Sequence, residues 1–63
     1  MKVGTRFIAL RSTHSGDVTE GKTYEVVGID SDGDEFFIDD AGDENFAVSR
    51  HGVLRHGGYK IVD

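Results

Sequence analysis

The stretch from Gly21 to Val48, GKTYEVVGIDSDGDEFFIDDAGDENFAV, constrains the fold more than any other part of the chain. Three runs rich in β-branched and aromatic residues, TYEVVGI, FFI and NFAV, are separated by DSDGDE and DDAGDE. Asp-Gly and Ala-Gly-Asp between such runs are hairpin signals, because glycine accepts the positive φ that a tight turn needs. The stretch predicts a three-stranded antiparallel meander, and the remaining residues have to close it.

Closure falls to the flanks. Arg6 to Arg11 is an apolar run bounded by arginines and long enough for one strand, with Phe7 and Ala9 on one face and Ile8 and Leu10 on the other. Ser12 to Glu20 is a polar loop whose single apolar anchor is Val18. Within TYEVVGI, Tyr24 and Val26 share a face. Gly28 interrupts the strand and marks a bulge or bend, so that one bent strand can serve two sheets. The two-residue period places Phe36, Ile38, Phe46 and Val48 inward and leaves Phe37, Asn45 and Ala47 outward. Phe7, Tyr24, Val26, Phe36, Ile38 and Phe46 are therefore the expected core. Ser49 to Gly52 breaks the pattern and predicts a 3₁₀ turn that returns Val53 and Leu54 over the barrel end. Tyr59 to Val62 is a short closing strand. No segment has a helical period, so the class is all-β, with residues 1–63 as one domain. A chain of 63 residues is near the lower limit for a core without staples. Without cysteine, neither a disulfide nor a thiolate metal site is available.

Charge is divided sharply along the chain. Between Thr23 and Ser49 lie nine acids and no base, whereas seven bases, three acids and all three histidines lie outside. Turn conformation alone accounts for much of this, since Asp and Gly are favoured in hairpin turns. The separation also bears on partners. No apolar run approaches the ~20 residues of a membrane span, and no secretory signal follows Met1-Lys2, so a cytoplasmic protein is expected.

Candidate chemistry is sparse. Asp30, Asp32 and Asp34 alternate around Gly33 like a calcium loop, but the position that requires a bidentate Glu is Ala41. His51 and His56 lack a third ligand placed by spacing, and His14 reads as a solvated loop residue. No phosphate-binding loop is present, and a core this small leaves little concave volume for catalysis. No catalytic residue, metal or cofactor is expected, and the chain reads as a non-enzyme.

The order of elements is that of an SH3-like barrel. Val3-Gly4, then Val18 to Val26 (VTEGKTYEV), then Ile38 to Asp43 (IDDAGD), resemble small bacteriophage and prophage SH3-like proteins across nearly the whole chain. Thr5 stands where that pattern usually has Asp, and His51 to Gly58 has no counterpart. The resemblance implies a five-stranded barrel with a long first loop and a 3₁₀ turn before the last strand. It also implies a non-enzymatic, phage-encoded module that binds and modulates a host protein of the transcription, replication or defence machinery. The aromatic ridge of proline-peptide SH3 domains is missing, and Ile8 to Ser12 stand in its place.

Two function classes follow. The first is a protein-interaction module in the host cytoplasm, with acidic DNA mimicry as one mode. Strands ~4.8 Å apart and same-face residues ~6.8 Å apart match the scale of duplex phosphates. The alternative is a nucleic-acid binder using Arg6, Arg11, Lys22, Arg50, Arg55 and Lys60 beside Tyr59, against which stands a pI of about 4.9. In an SH3-like barrel the first loop, the first hairpin turn and the 3₁₀ turn share one side, an analogy from fold. The candidate partner-binding residues there are His14, Asp30, Asp32, Asp34, Glu35, Arg50 and His51, with outward Phe37 as apolar anchor.

Overall fold

Strand β2 (Thr23–Ile29) holds the molecule together by pairing differently along its two halves. Its first half pairs with β1 (Arg6–Ala9), Phe7 opposite Tyr24, and its second half with β3 (Glu35–Ile38), Gly28 opposite Phe36. The ladder shifts register between Val26 and Gly28, so the expected bulge lies at the junction. β4 (Glu44–Asn45) extends β3 outward, and β5 (Tyr59–Ile61) pairs with β1. The resulting antiparallel order is β4-β3-β2-β1-β5, a small all-β, barrel-like fold. The computed structural model describes residues 1–62, and among them no helix is long and apolar enough to cross a membrane.

Both meander turns are built on one template. In the first, Gly33 N–H donates to Asp30 O, Asp30 N–H to Asp34 O, and Asp30 Oδ1 accepts the N–H groups of Asp32 and Asp34. In the second, Gly42, Asp39, Ala41 and Asp43 repeat every one of these bonds. Gly33 and Gly42 each have φ of 83°, the left-handed position of a three-residue hairpin loop. The aspartates at these turns are thus conformational devices, satisfying backbone donors that the turn leaves unpaired.

The core forms around Phe7, Tyr24 and Phe37. Phe7 meets Phe37 edge-on at 5.1 Å between ring centroids, and Tyr24 lies 5.1 Å from Phe37. Ala9, Val18, Val26, Ala47, Val48 and Leu54 complete it, so the loop anchor Val18 is fully buried as expected.

The face of β3 is the reverse of the expected one. Phe37 is fully buried, Ile38 is 45 % exposed, and Phe36 is half-buried against Gly28. The bulge is the cause. Continuing the Gly28–Phe36 ladder without it would set Val26 opposite Ile38 and turn Ile38 inward. With the extra residue, Val26 pairs with Phe37 instead. The same parity carries through β4 to the residues that follow it, where Phe46 is 37 % exposed and Ala47 buried, correcting both assignments. Phe36 and Phe46 then pair with each other on the outside, 5.3 Å apart.

From Phe46 to Gly58 the chain is a succession of turns. The expected 3₁₀-type bonding takes the form of separate i→i+3 links, Ser49 N–H to Phe46 O and Gly52 N–H to Ser49 O. Leu54 is pinned into the core and donates its N–H to Ala47 O, whereas Val53 is 68 % exposed. Arg11 fastens the far side of the segment by donating to Val53 O at 2.6 Å and to His56 O at 3.4 Å.

Candidate functional site

Three segments meet at one end of the barrel and leave an open cleft of about 470 Å³ between them. Thr13 and Ser15 come from the first loop, Asp30 and Asp34 from the first hairpin turn, and Phe46, His51 and Val53 from the turns after β4. The volume lies within the usual range for ligand pockets. It exceeds what so small a core suggests, because the cleft is walled by loops standing off the barrel rather than by the core. Its lining is mixed. Phe46 and Val53 give apolar surface, Asp30 and Asp34 a negative edge, and His51 an exposed imidazole.

Most polar groups around the cleft are committed to the chain. Ser49 Oγ–H donates to Phe46 O, Thr13 and Ser15 hydroxyls bond each other, and Asp30 Oδ1 caps its own turn. Arg50 leans over the hairpin turn, its Nε 3.1 Å from Asp34 Oδ1 and its Nη2 donating to Asp32 O. That Asp34 oxygen is buried and lacks an aligned hydrogen bond, so Arg50 neutralises it by proximity. Carboxylate oxygens of Asp30, Asp32 and Asp34 approach within 4.8 Å of one another. One of the three caps the turn and another faces Arg50, so a coordinating set is not free.

The structure sorts the sequence candidates. Asp30, Asp34 and His51 line the cleft, Arg50 braces its edge, and Asp32 and His14 are exposed beside it. Two candidates belong elsewhere. Phe37 is a core residue with no exposed surface, for the parity reason given above. Glu35 is only 9 % exposed, and its carboxylate holds the Met1 ammonium. Phe46, missed in the sequence, takes the place assigned to Phe37 as apolar anchor.

A second polar cluster secures the first loop. Tyr24 O–H donates to Asp40 Oδ1 while accepting Thr19 N–H, and Thr19 Oγ1 and Lys22 Nζ also donate to Asp40. Asp40 N–H donates to Asp17 O, so the loop and the second turn are laced together. Lys22, Arg11 and Arg50 thus have structural tasks, which scatters the basic residues instead of gathering them.

These bonds set a pH dependence. The Lys22 and Thr19 hydrogen bonds hold the Asp40 carboxyl below its ordinary value, and those from Asn45 and the Asp43 N–H do the same for Asp39. For Glu35, burial pushes the carboxyl up, but the Met1 ammonium and backbone donors outweigh it and the net shift is downward. Folded values below unfolded ones give stability that is complete above the ordinary carboxylate range and lost as pH falls through the lowered values. Thermal melts should therefore hold steady from neutral pH to about pH 5 and drop below about pH 4. Asp39→Asn sets an amide donor against Asn45 Nδ2, so it should lower the neutral-pH melting temperature and flatten the acid slope.

No protein-family model, curated protein or solved structure matches this chain.

Proposed function

We propose that the chain is a non-enzymatic protein-interaction module whose working surface is the cleft at the loop end of the barrel. The observation that carries this reading is the convergence of first loop, first hairpin turn and post-β4 turns on one open cleft where exposed Phe46 and Val53 lie beside Asp30 and Asp34. Exposed Phe46 and Val53 supply desolvation, and Asp32, exposed beside the cleft, supplies preference for a positively charged segment. On the phage resemblance, the partner would be a host protein met in the cytoplasm. DNA mimicry draws less support, because Glu35, Asp39, Asp40, Asp30 and Asp34 are engaged within the chain. Nucleic-acid binding draws less again, with Arg11, Lys22 and Arg50 committed to intramolecular contacts.

The test is capture from host lysate followed by affinity measurement on the recovered partner. Ser15→Trp fills the cleft and Val53→Glu charges it, and both sites are at the surface. Each should weaken binding about tenfold or more while leaving the melting curve unchanged. Undiminished affinity in both variants would remove the cleft from consideration. A salt series with DNA and RNA probes the alternative, since phosphate binding falls steeply as salt rises.

A further inference from the structure

The outer face of the β2-β3-β4 sheet carries a second surface, which borders the cleft at Phe46. The bulge leaves Val27 outside, 47 % exposed, and Phe36 lies across the adjacent Gly28 and packs on Phe46. One register step along, Ile38 is 45 % exposed and pairs directly with Glu44, and Glu25 is the exposed residue next to Val26, where the β2-β3 pairing ends. The face therefore has an apolar row, Val27-Phe36-Phe46, next to Ile38 and two exposed glutamates. Arg6 lies opposite Glu25 on β1. At the other end Glu44 follows Asp43, and neither carboxylate has a partner among the described residues.

We infer that this face docks a cationic amphipathic helix of a protein partner. The binding is additional to that of the cleft and uses mostly different residues. The apolar rows offer a stripe of the width that one helix face presents. Glu25 on β2 and Glu44 on β4 lie on strands either side of β3, and two ordinary strand spacings, about 10 Å, match the ~10.5 Å rise between helix residues seven apart. Lysine or arginine at that interval reaches both carboxylates while the intervening apolar residues cover Ile38 and Phe36. Strand addition fits poorly, because β4 offers an edge of two residues before the chain turns away. A second copy fits poorly as well. A self-complementary contact would set Glu25, Asp43 and Glu44 against their own kind in a chain of net charge −5.

The probe is a synthetic Leu/Lys helix with an apolar stripe and lysines seven residues apart, alongside a scrambled peptide of the same composition. Titration into isotope-labelled protein should shift the amides of Glu25, Val27, Phe36, Ile38 and Glu44. Ile38→Ser and Glu44→Lys, both surface changes, should each weaken binding about tenfold with melting curves close to the parent, whereas Val53→Glu in the cleft should leave it unchanged. Equal binding of the scrambled peptide, or shifts confined to the cleft, would overturn the inference. So would self-association of the chain that Ile38→Ser abolishes. Because the cleft variants and the face variants are separate, failure here leaves the cleft reading intact, and the reverse holds too.

Discussion

Phe37→Ala is expected to leave the chain largely unfolded at room temperature, whereas Phe36→Ala is expected to fold. Phe37 has no exposed surface and touches both Phe7 and Tyr24, so its truncation empties the middle of the core. Losses of this kind run to about 3–5 kcal/mol, and a core of this size holds at most about 5 kcal/mol. Phe36 lies on the outside against Gly28 and Phe46, and its removal should cost only about 1 kcal/mol. Urea titration of both variants, followed by far-UV circular dichroism, measures the difference. A reversed order would mean that β3 presents its other face to the core and that Val26 and Gly28 are paired without a bulge.

The second large effect is expected at Gly52. A Cβ there would overlap the carbonyl groups of Ala47 and Phe46, which are backbone atoms that cannot rotate aside. Ala47 O is already occupied by the Leu54 N–H, so relieving the overlap disturbs the bond that keeps Leu54 in the core. Gly52→Ala should therefore cost roughly 3 kcal/mol, the upper end for overpacking. It should also shift the backbone resonances from Phe46 to Gly58 before those of β1 and β2. A melting temperature equal to the parent's would show that the turns after β4 do not stack as closely as described. The comparison with Gly28→Ala is informative. There the overlap is with the tip of the Phe36 ring, which can swing into solvent, so the cost should be smaller.

Much of the architecture is legible in the sequence because it depends on local chemistry. Asp-x-x-Gly-Asp fixes each hairpin turn through bonds within five residues, and Phe7, Ala9, Tyr24 and Val26 follow the alternation of their own strands. Gly28 announces a bulge for the same reason. What the bulge does to the neighbouring strand is not local. It changes the parity between Val26 and β3, and with two phenylalanines side by side the hydrophobic pattern cannot say which one turns inward. The error then passes to Phe46 and Ala47 through the β3-β4 pairing. At the site, the meeting of loop, turn and post-β4 segment was expected only by analogy with the SH3-like order of elements. The place of Glu35 was not expected, because its partner is a terminal ammonium distant in sequence, and no spacing rule connects the two.

The duplicated turn template has a consequence for how such a surface can change. Asp30 and Gly33 carry the first turn, with the backbone of Asp34, while the side chains of Ser31 and Asp32 form no part of its bonding. In the second turn the position equivalent to Ser31 is Asp40, which is tied to Tyr24, Thr19 and Lys22 and so holds the long loop in place. One copy of the template has been drafted into the scaffold, and the other keeps two positions beside the cleft open to drift. Substitution at Ser31 and Asp32 should therefore change the charge and shape of this turn with little folding penalty. Of the two copies, the first is the one whose tip can vary without disturbing the scaffold.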